Sequence, residues 1–145
     1  MKKITLLLLF LSLYLVGQAI VSKTVNITAG GLLSTLTTTE LSTVTNLTIA
    51  GTIDARDFVT MRDKMPVLAV LDISTVNIAA YNGNDGTFTD TLYPANTLPE
   101  YSFYNQANGQ GKTSLTTITI PSSVTSIGDE TFGYCSGLTS IHIPS

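Results

Sequence analysis

The sequence predicts an α/β-type repeat solenoid: short parallel strands, irregular or helical return segments, and a cap at the N-terminal end. Three observations lead there. Leu115-Thr-Thr-Ile118-Thr-Ile120-Pro121-Ser122 returns 23 residues later as Leu138-Thr-Ser-Ile141-His-Ile143-Pro144-Ser145, with six of the eight positions identical. Self-similarity at a fixed period of about 20–50 residues marks stacked arrays, in which neighbours jointly bury an apolar face that no single unit could bury alone. The opening pattern Leu-x-x-Ile-x-Ile also has older copies in Val44-Thr-Asn-Leu47-Thr-Ile49 and Leu68-Ala-Val-Leu71-Asp-Ile73, which are 24 residues apart and, from Leu68, 47 residues before Leu115. Finally, an aliphatic residue stands five positions before a phenylalanine at Ile53/Phe58, Leu98/Phe103 and Ile127/Phe132. These pairs alternate along the chain with the strand signals.

From the start, Met1-Lys2-Lys3 is a short positive segment, and Ile4 to Val16 is an almost unbroken apolar run. Gly17-Gln18-Ala19 then offers small residues where a signal peptidase reads. Residues 1–19 are therefore expected to be a cleaved secretory signal peptide, with Ile20 the first mature residue. A membrane-spanning anchor is the rival reading, but it wants about 20 apolar residues, and the run reaches that length only by including Gly17 and Gln18. Cleavage removes Lys2 and Lys3, which takes the formal charge from −3 to about −5. An acidic surface of that kind argues against nucleic acid and against electrostatic docking on anionic lipid.

Residues 20–43 are expected to form an N-terminal cap segment. Gly30-Gly31 separates a strand-like start from Leu32-Leu33-Ser-Thr-Leu36, whose spacing suits a helix, and Thr37-Thr38-Thr39-Glu40 ends one element or caps the next. The repeat domain is expected over 44–145, with degenerate repeats in 44–114 and clean ones in 115–145. Arg56 to Lys64 reads as a short amphipathic helix with Phe58, Met61 and Met65 on one face, stopped by Pro66. The long Leu68-to-Leu115 unit carries two insertions, near 81–97 (turn-rich over Tyr81–Phe88) and over 105–112, both expected as loops. In the clean repeat Pro121 ends the strand because it has no backbone donor. Val124, Ile127, Phe132, Cys135 and Leu138 then supply apolar residues for the return. Phe132, Ile118, Ile120 and Ile127 are expected to be buried between successive units.

Residues 115–145 closely resemble the BspA-like subclass of leucine-rich repeats. The elements Ile120-Pro-Ser-Ser-Val124, Ile127-Gly-Asp-x-x-Phe132 and Cys135-Ser-x-Leu138-x-Ser-Ile141 occur in order. The resemblance implies a secreted or cell-surface protein that binds other molecules in attachment or cell–cell contact, and it implies no chemistry. The sequence stops just after the strand of a new repeat, so a longer parent protein is expected.

Other motifs argue for little. Asn82-x-Asn84-x-Gly86 begins like a calcium loop, but the position that needs a bidentate glutamate holds Tyr93. His142 is the only histidine, Asp129 and Glu130 are adjacent rather than convergent, and Gly109-Gln-Gly111-Lys112-Thr113 lacks the first glycine of a phosphate loop. No enzyme, metal or cofactor is expected. Asn26-Ile-Thr28 and Asn46-Leu-Thr48 match the glycosylation pattern, as triplets in a threonine-rich chain do by chance. The single cysteine, Cys135, is expected as a small buried hydrophobe, with a reactive thiol or an intermolecular disulfide as the alternatives.

The candidate binding surface follows from strand alternation. Positions one, four and six of each hexad point inward, and positions three and five point out. That places Asn46 and Thr48, Val70 and Asp72, Thr117 and Thr119, and Ser140 and His142 on one strip. Its small, mostly uncharged groups suit hydrogen bonding to an extracellular protein backbone or a glycan. The competing reading is a structural spacer whose sheet face is merely solvated.

Overall fold

The computed structural model describes residues 19–89 and 92–143. The leader read over residues 1–19 lies, apart from Ala19, outside the described residues. Among the described residues no helix is long and apolar enough to cross a membrane.

A five-stranded parallel sheet forms the spine. Its strands are β1 (Ser22–Ile27), β2 (Asn46–Ile53), β3 (Val70–Ile78), β9 (Thr117–Thr119) and β11 (Ser140–His142), side by side in chain order. Ser22, Asn46, Val70, Thr117 and Ser140 lie in one row across it. The steps along that row repeat the 24-, 47- and 23-residue offsets of the hexads, so each hexad forms its strand in the register the sequence implies. The junctions repeat one hydrogen-bond device. The carbonyl of Val21, Thr45, Ala69 and Thr116 each accepts from two consecutive backbone N–H groups of the next unit, at 2.8–3.2 Å. Inside the sheet Leu47, Ile49, Leu71, Ile73, Ile118 and Ile120 are buried, together with Val44, Leu68 and Leu115 from position one of their hexads.

Residues 20–43, expected as a cap segment, join the sheet. β1 pairs along its length with β2, which makes this segment a unit of the same sheet. Its returns are α1 (Leu32–Thr35) and α2 (Thr38–Thr43). Thr37 caps α2 in a reciprocal box with Glu40: each side chain bonds the other residue's backbone N–H. Lys23 occupies the row of Leu47, where the other units carry aliphatics. There it pairs with Glu40, whose carboxyl is lowered to about 2 by that lysine bond and by the Thr37 backbone N–H.

β2 and β3 run past their hexads. Between Thr48 and Ala50 the pairing shifts, because β3 spends one residue more than β2 there. The shift returns Val76 and Ile78 to the buried side after Leu71 and Ile73. Gly51, opposite Val76, has φ +92°, and a Cβ there would meet the Ile27 carbonyl, so only glycine fits.

The return after β2 is the expected helix, α3 (Ala55–Asp63). Asp54 caps it, and Phe58, Met61 and Met65 are fully buried. The long third unit carries its two insertions as antiparallel hairpins: β4 (Tyr81–Asn82) with β5 (Leu92–Tyr93), and β7 (Tyr104–Asn105) with β8 (Gln110–Gly111). Between them, β6 (Thr97–Leu98) pairs in parallel with β10 (Ser126–Ile127). The ladder continues as Tyr101 and Phe103 donate to the carbonyls of Asp129 and Thr131. The aliphatic-to-Phe signals of these two units therefore stack as the strand signals do. The Phe58 and Phe103 rings meet edge-on at 6.0 Å, and the Phe103 and Phe132 rings lie nearly parallel at 5.6 Å.

Two packing expectations need correction. Ile118 and Ile120 are buried, but Ile127 is 46% exposed and Phe132 only half-buried. Both sit in the last return among the described residues, which packs against the preceding return through Leu98 and Phe103. Cys135 is buried, with its thiol donating to the Phe103 carbonyl at 3.4 Å, and burial pushes its pKa up. That is the small-hydrophobe role.

Candidate functional site

The sheet places the eight strip residues in two straight rows. Asn46, Val70, Thr117 and Ser140 align in one, and Thr48, Asp72, Thr119 and His142 in the other. β1 adds Ser22 and Thr24 at the head of the same rows, two residues that the hexad pattern did not single out. Adjacent strands in such a sheet lie about 4.7–4.9 Å apart. The strip from Asn46 to Thr119 is half-buried, while Ser22, Thr24, Ser140 and His142 are exposed. The rows mix hydroxyls with one amide, one carboxylate, one imidazole and the apolar Val70.

Asp72 also has a local task. Its Oδ1 accepts from the Ser74 backbone N–H at 2.9 Å, next to the register shift of β3. A carboxylate there satisfies a donor that the irregular ladder leaves over. The sequence reading gave Asp72 to the strip alone.

Position two of the hexad had no assigned role. Thr116 Oγ1 donates to the Ala69 carbonyl and Thr139 Oγ1 to the Thr116 carbonyl, each at 3.0 Å. Thr45 Oγ1 reaches the Val21 carbonyl and accepts the Val21 N–H. The recurrence of threonine at 45, 116 and 139 was the available signal. These hydroxyls tie unit to unit beside the strip.

Asp57 is a second residue the sequence did not flag. It is fully buried and accepts three backbone N–H bonds, from Gly30, Leu32 and Asp54, at 2.8–2.9 Å. Burial raises its carboxyl pKa and outweighs those donors. The residue fastens α3 to the loop of the preceding unit. Arg56 lies beside it, bonded to Asp54 and placed 4.6 Å from the Tyr81 ring centre.

Among the described residues no group of three or more His, Cys, Asp or Glu side chains is placed to hold a metal ion. Asn82 and Asn84 are exposed near the tip of the β4–β5 hairpin.

The family whose sequence model is described as BspA type leucine rich repeat region (6 copies) matches residues 96–145. These residues are BspA-type leucine-rich repeats. The match takes in β6, the second hairpin, β9, β10 and β11. β1, β2 and β3 lie outside it, yet they extend the same sheet in the same register. No curated protein matches the chain.

Proposed function

We propose that this chain is a recognition module exported to the cell surface or medium, and that the sheet strip of its solenoid binds an extracellular protein or glycan. The observation that carries the reading is the pair of in-register rows across the parallel strands. Small hydroxyl and amide groups repeated at strand spacing offer an extended partner a series of equivalent hydrogen bonds, and repeat proteins use such continuous faces for binding. With little charge on the strip, direct hydrogen bonding rather than ion pairing would set the affinity. The BspA-type repeats of residues 96–145 support a surface repeat module.

The test is a panel of immobilised extracellular proteins and glycans probed with the purified chain and with its Thr117→Lys/Thr119→Lys variant. Two long charged side chains in the middle of the strip should weaken binding at least tenfold while leaving the melting temperature unchanged. Full binding by the variant would remove the strip from consideration. A parent chain that binds nothing on the panel would favour the spacer reading.

A further inference from the structure

A second surface of different chemistry lies away from the strip, where α3 ends against the β7–β8 hairpin. It is a cavity of about 430 Å³ lined by polar side chains, among them Asp63, Asn105, Asn108, Gln110 and Lys112. That size lies within the roughly 300–1,000 Å³ range of small-molecule sites.

The wall is fixed before any ligand arrives. Arg62 donates through Nη1 to the carbonyls of Thr87 and Tyr101 at 2.9 and 2.8 Å, joining α3 to the long third unit. Its Nε and Nη2 bind the two Asp63 carboxylate oxygens at 2.8 and 2.9 Å. Asn105 Nδ2 adds a third bond to Asp63 at 3.0 Å. Burial alone would raise the Asp63 carboxyl, but the donors from Arg62 and Asn105 outweigh it and hold it below the usual carboxylate value. Arg62 and Asp63 therefore cancel as a bidentate pair.

Lys112 is left over. Its side chain is buried, the residue being only 7% exposed, and its Nζ donates to the Met65 carbonyl at 2.6 Å. An ammonium carries three donors, so two are not used by that bond, and Lys112 lines the cavity. At the rim, Asn108 Oδ1 takes the Gln110 backbone N–H at 3.0 Å, which leaves the Asn108 amide donors and the exposed Gln110 side chain to solvent. Counting Arg62, Asp63 and Lys112, the site carries one net positive charge and a ring of amides, within a chain of formal charge −3.

Aromatic rings continue the surface. Phe88, Tyr101, Tyr104 and Tyr134 form a row with centroid separations of 4.5, 5.8 and 5.2 Å, running from the first insertion across the second hairpin to the last return. Tyr134 is 72% exposed at its end. Beside it a depression of about 400 Å³ shares Gln110 and Gly111 with the first cavity.

We infer that this cleft binds a carboxylated sugar within an oligosaccharide. The carboxylate would sit on Lys112, the hydroxyls on Asn108 and Gln110, and a neighbouring ring's C–H face on Tyr134. A single surplus cation matches a single carboxylate in a charge-assisted bond. The polar lining gives an apolar peptide side chain nothing to pack on, whereas sugars present hydroxyl edges to amides and an apolar face to an aromatic ring. None of these residues belongs to the sheet strip.

The chain has no tryptophan, so its emission comes from six tyrosines, Tyr104 and Tyr134 among them, and a Tyr134→Phe variant identifies the part of the signal due to Tyr134. The purified chain would be titrated with an oligogalacturonate, with sialyllactose, and with a neutral malto-oligosaccharide of matched length. One of the two carboxylated probes should bind at least tenfold more tightly than the neutral one, and which of them does so separates a uronic from a sialic acid. Lys112→Met should abolish that preference, and Gln110→Ala, at an exposed hairpin position, should weaken the preferred probe several-fold. Thr117→Lys/Thr119→Lys should leave it unchanged, which separates this site from the strip. Equal binding of acidic and neutral probes, no response to either acid, or full competition by acetate alone would overturn the inference. So would unchanged binding in Gln110→Ala.

Discussion

The phenylalanine ladder gives a sharp test of how the units are joined. Phe103 is fully buried between two partners, the Phe58 edge at 6.0 Å and the Phe132 face at 5.6 Å. Phe132 touches Phe103 on one side and is half-buried. Removing a fully buried phenylalanine costs about 3–5 kcal/mol, the sum of lost transfer energy and the cavity left behind. Phe103→Ala belongs at the upper end of that range, because two rings lose their packing and the surrounding rows are pinned by backbone bonds. Phe132→Ala forfeits about half the burial and one ring contact, so roughly 1.5–2.5 kcal/mol is expected. Domains of this kind have about 5–15 kcal/mol of stability in total, so the first change should shift the urea midpoint far more than the second. Equilibrium urea melts followed by circular dichroism would measure both, with the slope m held common to the two variants. A cost for Phe132→Ala equal to or above that of Phe103→Ala would refute the ladder. So would a loss below about 1 kcal/mol for Phe103→Ala.

Two further substitutions probe the buried polar groups. Asp57→Ala strands two buried backbone N–H groups, of Leu32 and Asp54, and the half-buried one of Gly30; at about 1–3 kcal/mol for each buried unsatisfied donor it should cost roughly 3 kcal/mol in the same melts. A cost under about 1 kcal/mol would mean that water replaces the carboxylate. Lys112 is lowered by burial to about 8 from 10.5. Between those values the unfolded chain holds more protons, so stability should rise with pH, by on the order of 3 kcal/mol across that window. The buried Cys135 thiol, raised above its ordinary value, pulls the opposite way in the same range. The measurement is therefore the difference between parent and Lys112→Met at pH 7 and pH 11, which should lose the rise due to Lys112. Parallel curves for the two proteins would show a lysine that is solvated.

The strands after residue 44 were legible because the hexads carry their aliphatics in one register that a parallel sheet repeats; these are buried in the hexads of β2, β3 and β9, whereas Ile141 and Ile143 of the last hexad, expected inward, are exposed. α3 was legible for the same reason: Phe58, Met61 and Met65 share a face and Pro66 follows. β1 escaped the pattern because Lys23 stands where Leu47 and Leu71 stand in the next units. A charge in a core position reads as a break, and only the geometry shows Glu40 arriving to meet it. The register shift in β3 was hidden because one additional residue changes which side chains face inward without changing composition. The anchor of α3, Asp57, was invisible for another reason. Its three donors come from Gly30, Leu32 and Asp54, two of them in the preceding unit, and a helix-surface aspartate looks the same in sequence whether or not such donors arrive. The strip was legible as a set of positions; Asp72's bond to Ser74 was not, since it depends on the irregularity beside it.

The two insertions carry the difference between a plain array and this one. A unit of 23 or 24 residues has length enough for a strand, a return and the joints between neighbours. The Val70-to-Thr117 step takes 47 residues, and the surplus goes largely into hairpins on the return side rather than into the sheet. Arg62 explains why those hairpins are held in place: its side chain bonds the carbonyls of Thr87 and Tyr101, 25 and 39 residues further along. Gly111 explains why the second hairpin can lie so close to the last return, since a Cβ there would strike the Tyr134 backbone. A loop that merely lengthened the chain would need neither device. The hairpins are fixed in place, and what they fix is the row of rings and the polar cleft beside Lys112. The strip repeats with every unit, whereas the cleft depends on one arginine, one glycine and one buried lysine. A substitution in the hairpins should therefore alter what the cleft selects without disturbing the sheet.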